Sequence, residues 1–575
     1  MKIKSIKIHN FRSIKEIQFD CYDYNVIVGP NDSGKSNIID AIRIFYEDDI
    51  KFDEQRDFPK LRDLDDNESW IEIEYRLTDD EFRNLKDEYK RPGNTLKVRK
   101  YLKPREQGKV KSNQSNIYGY EGDNLSNNLF YGAKNISEAK LGAVTYIPAV
   151  STTAEVLKLS GPSPLRNVLY FVMQRVTKSG TAYNDLKTAI DAFNDKFQKE
   201  QSEDGLSFNR FKEEINKSLS EWMVEFDLSV NPIKPEDIIK SLLEYALIDK
   251  NLGEEIDVDC FGEGLQRHLI YTLLKLSTQY TEKKTYEKKE FAPEFNLILF
   301  EEPEAFLNPF QQDSLNFSLK SLSNQEGQQV IITTHSPVFV SKNLEELSSL
   351  IKIRKDNGIT KAFQTSDDIL EEISQFQEHY LQFLSNQLNE PALDEATRRD
   401  IETHIDELKS FDFEAKAVCY SLWLDSERCS AFFADTVLIC EGATEKTFIN
   451  YLLKNKWNDL QKKIYVLDAM GKYNIHIYMN LFKELGIRHS VLADTDQNNK
   501  HHTFVNQFIE SQRNEFTIDI HFFDNNLEAF LNISPCGERW KKPVNVIWNY
   551  LNGKIPRQKI DELQQIIKKV IGEAN

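Results

Sequence analysis

The stretch Gly29-Pro30-Asn31-Asp32-Ser33-Gly34-Lys35-Ser36 constrains this chain more than any other. It stands between the buried-strand run Val26 to Val28 and the helical run Asn37 to Tyr46. It fits G-x-x-x-x-G-K-[ST] in the strand-turn-helix setting that the motif requires. Its glycines let the backbone curl, so that successive N–H groups and the positive end of the helix surround phosphates. On this reading Gly29, Asn31, Ser33 and Gly34 form the cradle, Lys35 reaches the terminal phosphates and the Ser36 hydroxyl holds Mg²⁺. A strand that feeds such a loop belongs to an α/β sheet.

At 575 residues the chain exceeds what one core supports, so several domains are expected. With 40% hydrophobic and 29% charged residues it is globular in composition. It has no apolar run long enough for a membrane span, and Met1-Lys2-Ile3-Lys4 opens a strand, so a cytoplasmic protein with no membrane contact is expected. Six cysteines lie scattered with no C-x-x-C pair, which argues against a zinc site or a disulfide framework. The net charge of -19 discourages a nucleic-acid surface over the whole molecule. From Phe432 onward, however, 18 Lys and Arg balance 17 Asp and Glu, which leaves room there for a local DNA-facing surface.

Taken in order, residues 2 to 28 read as two strands and a turn followed by the buried strand, with Asn10-Phe11-Arg12 in the turn. Trp70 to Leu77 alternates as an amphipathic strand. Lys90 to Lys111 carries nine basic residues and one acid, and a solvated hairpin face is the favoured reading over a DNA contact. Leu141 to Pro148 reads as a buried strand, closed by a turn at Ser160. Leu165 to about Phe226 has helical, polar spacing and reads as an insertion, a candidate dimerisation arm; Glu236 to Leu247 reads as one more helix.

Nucleotide chemistry returns at Cys260 to Arg267, where Gly262, Gly264 and Gln266 lie in a Gly-rich turn before a helix over His268 to Leu276. Leu297 to Phe300 is a buried strand that ends in Glu301-Glu302-Pro303-Glu304. Glu301 is expected to hold the nucleotide's metal, and Glu302 to polarise an attacking water. Val330 to Ser336 ends a further strand with His335, placed to touch the terminal phosphate. Lys352 to Phe363 is a hairpin around Asp356-Asn357-Gly358, and residues 367 to 425 are helical and charged.

A second constellation follows. Thr436 to Cys440 is a buried strand that ends in Glu441-Gly442, with Glu445 one helical turn on. Ser490 to Ala493 is another, ending in Asp494-Thr495-Asp496. Parallel strands gather such ends on one edge, and acids brought together there need a divalent counter-charge, for which oxygen ligands suit Mg²⁺ or Mn²⁺. His501-His502 beside the pair reads as part of a polar loop.

The nucleotide pieces together resemble the ATP-binding-cassette type of ATPase in its DNA-repair branch, over roughly residues 1 to 365 with the helical insertion interrupting. The resemblance implies that ATP lies between two heads, with Gly262 to Gln266 of one completing the site of the other, hence a homodimer or higher even oligomer. The turn is Phe-Gly-Glu-Gly-Leu-Gln rather than Leu-Ser-Gly-Gly-Gln, the metal acid is Glu rather than Asp, and Phe306 and Asn308 stand where relatives often have histidines. These departures leave room for slow hydrolysis.

Glu441-Gly442 and Asp494-x-Asp496 match the two motifs of the TOPRIM fold, with Gly471-Lys472 between them. TOPRIM behind such an ATPase resembles the overcoming-lysogenization-defect (OLD) nuclease family over nearly the whole chain. Glu528 and a lysine of Trp540-Lys541-Lys542-Pro543 are further counterparts. The resemblance implies two-metal hydrolysis of DNA, with Glu441, Asp494 and Asp496 as ligands and Glu445 and Glu528 serving the second ion. The lysine, assigned to Lys542 ahead of Lys541, steadies the leaving group. It also implies control by ATP and a role as an antiphage effector; some relatives work with a helicase-like protein or a retron's reverse transcriptase and its DNA. A non-cleaving scaffold that binds DNA or a partner through TOPRIM is the alternative, and topoisomerase or primase chemistry lacks its further domains. The expected division is an ATPase head over 1–160 and 229–365, a helical insertion over 161–228, a helical connector over 366–431 and TOPRIM over 432–575.

Overall fold

The strand that feeds the phosphate loop lies deep in a twelve-stranded mixed sheet. A computed structural model describes residues 1–61, 66–104, 114–149, 182–197, 200–203, 205–219, 243–279, 291–340, 344–366, 369–391, 393–410, 426–496 and 500–573, with isolated positions between them. Residues 1–149 and 288–575 form one unit and 150–287 a second.

In the first unit β1 (Lys2–Phe11) and β2 (Ile14–Asp20) pair antiparallel across the Asn10-Phe11-Arg12 turn. β3 (Tyr24–Val28) is buried on both faces, as a strand with parallel neighbours on each side must be. The loop then opens α1 (Lys35–Phe45), whose Ile38, Ile39, Ile42 and Phe45 are buried. β4 (Ser69–Arg76), β5 (Thr95–Lys103), β6 (Ile117–Glu121) and β7 (Asn124–Leu129) extend the sheet antiparallel from β1, and β8 (Ala143–Ile147) forms the far edge. The basic run on β5 faces acids of its neighbours: Lys97 and Arg99 pair with Glu72, Lys100 with Glu47 and Lys103 with Glu54. That spends its charge inside the head.

The second unit contains α2 (Ala182–Phe197), α3 (Phe208–Leu219), a two-residue hairpin of β9 (Ile248–Asp249) and β10 (Glu254–Glu255), and α4 (Glu263–Gln279). The turn read at Ser160 lies outside the described residues, as does half of the stretch read as a helix over Glu236 to Leu247; residues 243–247 of that stretch are described and are not helical.

Back in the first unit come β11 (Asn296–Glu301), α5 (Pro309–Ser323), β12 (Gln328–Thr333), β13 (Leu350–Asp356) and β14 (Ile359–Phe363). The strand order is β7-β6-β5-β4-β1-β2-β14-β13-β3-β12-β11-β8. From β13 to β8 the strands run parallel, so β3, β11 and β12 end on one edge. β13 and β14 close around Asn357 and Gly358, both at positive φ, as a tight two-residue turn needs.

Two helices, α6 (Ile369–Gln387) and α7 (Glu395–Ser410), follow. The last part alternates β15 (Thr436–Cys440), α8 (Ala443–Asn455), β16 (Tyr465–Asp468), α9 (Ile475–Glu484), β17 (Arg488–Asp494), α10 (Lys500–Ser511) and β18 (Thr517–Phe523). It closes with α11 (Leu527–Phe530), α12 (Lys542–Leu551) and α13 (Arg557–Val570). Its sheet, β16-β15-β17-β18, is wholly parallel. The polar-loop reading of His501 and His502 is corrected here: both sit in the first turn of α10. Phe504, Val505, Phe508 and Ile509 form the buried stripe of that helix, and Phe504 and Phe508 pack with Tyr380, Leu384, Ile401 and Ile405 of α6 and α7.

Candidate functional site

Two glycines shape the phosphate loop. A Cβ on Gly29 would lie 2.2 Å from the Ile353 carbonyl oxygen; Gly34 has φ +105° and a Cβ there would lie 2.3 Å from Thr360 Oγ1. Ser33 Oγ is buried with no hydrogen-bond partner, while Asn31 and Ser36 are exposed. Lys35 Nζ donates to the Gly29 and Pro30 carbonyls at 2.8 and 2.9 Å. Burial lowers its pKa to about 8 against the opposing pull of Glu302, Glu304 and Glu301, which therefore face it.

Those acids end β11. Glu301 accepts a 2.7 Å bond from the Tyr146 hydroxyl. Glu302 has φ +45°, a strained backbone of the kind held at reacting centres, and its Oε1 is 3.8 Å from His335 Nε2. Burial, with Lys35 beside it, lowers the pKa of His335. Sequence reasoning left Glu304 without a role. The structure shows it accepting from Thr334 Oγ1 at 2.7 Å and from the His335 backbone N–H at 2.5 Å, so it fixes the turn that presents the histidine. Arg12 joins the first turn to α1, donating to Asp40 at 2.6 Å and to buried Asp57 at 2.9 Å. In the second unit α4 takes in Gly264, Gly262 has open space around its Cα, and Gln266 Nε2 donates to the Phe261 carbonyl at 2.9 Å.

The acid cluster is built on the parallel sheet. β15 ends before Glu441, β17 ends at Asp494, and Asp496 follows with φ +48°. Glu445 lies in the first turn of α8 and accepts from the Gly442 N–H at 3.2 Å. Glu441 Oε2 accepts from the Asp494 N–H at 3.2 Å. Glu528, in α11, is buried. Burial, with Glu445, Glu441 and Asp496 adding negative charge, pushes the Asp494 carboxyl up to about 9. Burial, with Glu441 and Glu528, pushes Glu445 up to about 7, and burial raises Glu441 as well. These couplings tie the five acids into one electrostatic site.

One residue of this site went without a role in the sequence. Lys472, buried, donates at 2.6 Å to both the Asp494 carbonyl and Asp496 Oδ2, and lies 3.7 Å from Glu441 Oε2. Its signal was Gly471 before it: with φ +124° at Gly471, the chain turns back after β16 and aims the lysine at the neighbouring strand end. His502 Nδ1 stands 3.3 Å from Asp496 Oδ2. Of the two candidate lysines, Lys541 is paired with Glu538 at 2.6 Å, whereas Lys542 makes no ion pair and reaches none of the acids among the described residues.

Among the described residues no three acids close into a finished metal cage. The donor set still fits a hard divalent cation. All the acids offer oxygen, and Asp494 Oδ1 and Glu528 Oε1 are buried with no hydrogen-bond partner. One lysine does not balance five carboxylates.

The described residues contain no helix long and apolar enough to cross a membrane. Residues 1–340 match the AAA ATPase domain model, and residues 432–496 match the TOPRIM domain of overcoming-lysogenization-defect-like proteins. The chain is 24% identical to the Old nuclease of Escherichia phage P2, over 86% of this chain and 77% of that protein. It is 23% identical to the endonuclease GajA of Bacillus cereus, over 100% of this chain and 90% of that one, and 21% identical to an OLD nuclease of Thermus scotoductus, over 86% and 82%. An SMC head domain from Thermotoga maritima aligns at 14% identity and a TM-score of 0.29, over 64% of this chain and 100% of that one, too weak to add to the fold just described. The chain belongs to the AAA ATPase family and carries, behind its ATPase domain, a TOPRIM domain like that of overcoming-lysogenization-defect proteins.

Proposed function

We propose that this chain is a nucleotide-regulated, metal-dependent DNA endonuclease of the OLD type, working as an antiphage effector. The observation that carries the reading is the gathering of Glu441, Glu445, Asp494, Asp496 and Glu528 at one edge of a parallel sheet, with two buried carboxylate oxygens lacking partners. Mg²⁺ or Mn²⁺ held by these acids would supply charge neutralisation and an activated water for phosphodiester hydrolysis. Lys472 keeps Asp496 and the backbone at Asp494 in place. Lys542, its ammonium free of ion pairs, is the group that steadies the leaving oxygen.

On the ATPase side Lys35, Ser36 and the loop N–H groups take ATP phosphates, Glu301 serves the metal, Glu302 orients water and His335 reads the terminal phosphate. Dimerisation, with Gly262, Gly264 and Gln266 facing a second copy's nucleotide, completes the site. Exposed Phe193, Phe208 and Phe211 on α2 and α3 support an arm that meets another chain. The five-part domain division belongs to the same proposal.

The test is cleavage of supercoiled plasmid by the purified chain in Mg²⁺ or Mn²⁺, with and without ATP, beside Asp494→Ala. Nicking or linearisation that vanishes in the variant supports the reading. Equal cutting by Asp494→Ala overturns the site assignment, and no cutting by the wild type under any of these conditions favours the scaffold.

A further inference from the structure

Carboxylates that hold a metal act on a phosphodiester and read no base, so on the nuclease reading the form of DNA accepted is set by surfaces near the acid cluster. Helix α12 carries an unusual surface for that position. Trp540 just before it, then Val544, Trp548 and Leu551, are 72%, 62%, 61% and 60% exposed. Their spacing of four, four and three places them in one stripe along the helix. The other side is anchored: Val546 is buried in the core, and Tyr550 meets the rings of Phe448 and Tyr451 at 5.9 Å. Phe448 lies one turn beyond Glu445 on α8, so the helix that bears the stripe is packed on the helix that bears a proposed metal ligand.

An exposed stripe with two indoles calls for an occupant. Charge identifies it. From Glu538 to Lys559 six basic residues stand against one acidic in a chain of net charge -19, and Lys542, Lys554 and Arg557 make no ion pair among the described residues. A second copy of this chain, docked through the same face about a two-fold axis, would set these basic groups against their own images. A polyanion would neutralise them.

We infer that this face is a strand-binding platform, on which Trp540 and Trp548 stack against unpaired bases of DNA while the exposed Lys554 and Arg557 follow its phosphates. The inference rests on the nuclease reading and names its substrate class: single-stranded or frayed DNA. Duplex bases already stack on one another and offer no free face to an indole. An unpaired strand offers one per nucleotide, and each base stacked on an aromatic ring adds about 1–3 kcal/mol.

The test is fluorescence anisotropy with the full chain in EDTA, where cleavage is blocked. The probes are a labelled oligothymidine of about 20 nucleotides and a blunt duplex of the same length. The double variant Trp540→Ala/Trp548→Ala alters only exposed side chains. It should weaken oligothymidine binding by roughly tenfold or more and duplex binding by less than about twofold. Trp540→Phe/Trp548→Phe should keep most of the affinity. Equal losses on both probes, unchanged binding by the alanine pair, or no oligothymidine binding by the wild type would each overturn the inference. So would a change in sedimenting mass with DNA affinity intact, which would make the face a protein interface. A wild type that cuts plasmid while the alanine pair binds like wild type sinks this inference alone; a wild type that cuts no DNA sinks the nuclease reading beneath it.

Discussion

Loading the acid cluster with Mn²⁺ at pH 7 should release about 1.5 protons per chain. In the metal-free protein burial and the neighbouring carboxylates hold Asp494 up to about 9 and Glu445 up to about 7, with Glu441, Asp496, Glu528 and Lys472 as the charges facing them. At pH 7 Asp494 is then almost wholly protonated and Glu445 half so. A carboxylate that takes a metal must shed its proton, which yields the sum. Release should fall to about 1 at pH 8 and about 0.25 at pH 9.5, as the two groups ionise on their own. The sign for stability follows. Both pKa values are raised over the unfolded values of 3.8 and 4.5, so their contribution is fully present below about pH 4 and is lost as pH rises through 7 and 9. Metal offsets that loss, so its effect on Tm should grow from pH 6 to pH 9. Titration calorimetry in buffers of different ionisation enthalpy reads the protons directly. Heat independent of buffer at pH 7 would refute the reasoning, because the acids would then be ionised already or not be the ligands.

The remaining expectations concern the ATPase head and its junction with TOPRIM. Lys35→Ala should weaken nucleotide binding by at least about tenfold while leaving Mn²⁺ uptake by the acid cluster unchanged; wild-type ATP affinity in calorimetry would remove the loop from the nucleotide site. Lys352→Met removes a buried ammonium, lowered to about 7 by burial, that donates to the Phe432 and Ala434 carbonyls. It should cost about 1–3 kcal/mol in denaturant unfolding and abolish the effect of ATP on cleavage while metal-only cutting persists, and an unaltered ATP response would count against the junction.

The elements that announce themselves in the sequence are those whose chemistry is local. The phosphate loop, the acid-ended strands and the Asp356-Asn357-Gly358 turn each fit within a few residues, where apolar runs and turn residues decide the structure. What was illegible depends on contacts across the chain. Glu304 acts on Thr334 and His335, about 30 residues away, and Lys472 acts on Asp496, 24 residues away. No local period predicts which charged residue a parallel sheet will bring beside another. The His501-His502 error has the same origin: polar residues just before them resemble a loop, but the apolar stripe that begins at Phe504 holds α10 against α6 and α7.

Why the nucleotide should matter to a site on another sheet is answered by β13 and β14. Along β13 the side-chain period of two sends Lys355 to one face and Lys352 and Arg354 to the other, while the backbone carbonyl of Ile353 lies in the sheet. Ile353 presses its carbonyl against Gly29, and Lys355 pairs with Asp32 at 3.0 Å, both on the phosphate loop. Lys352 and Arg354 turn the other way, to the Phe432 carbonyl ahead of β15 and the Gly486 carbonyl ahead of β17, the latter at 3.0 Å. β14 repeats the arrangement. Thr360 Oγ1 donates to the Ser33 carbonyl at 3.0 Å, and the Phe363 ring sits where a side chain on Gly486 would be and meets Phe516 edge-on at 5.6 Å. β15 and β17 carry Glu441 and Asp494 at their far ends, so one hairpin touches the loop that would close on phosphates and the bases of both acid-bearing strands. Close-packed interiors transmit such displacements rather than absorb them. A displacement of the loop would therefore reach the bases of the acid-bearing strands through the backbone carbonyls held by Lys352 and Arg354.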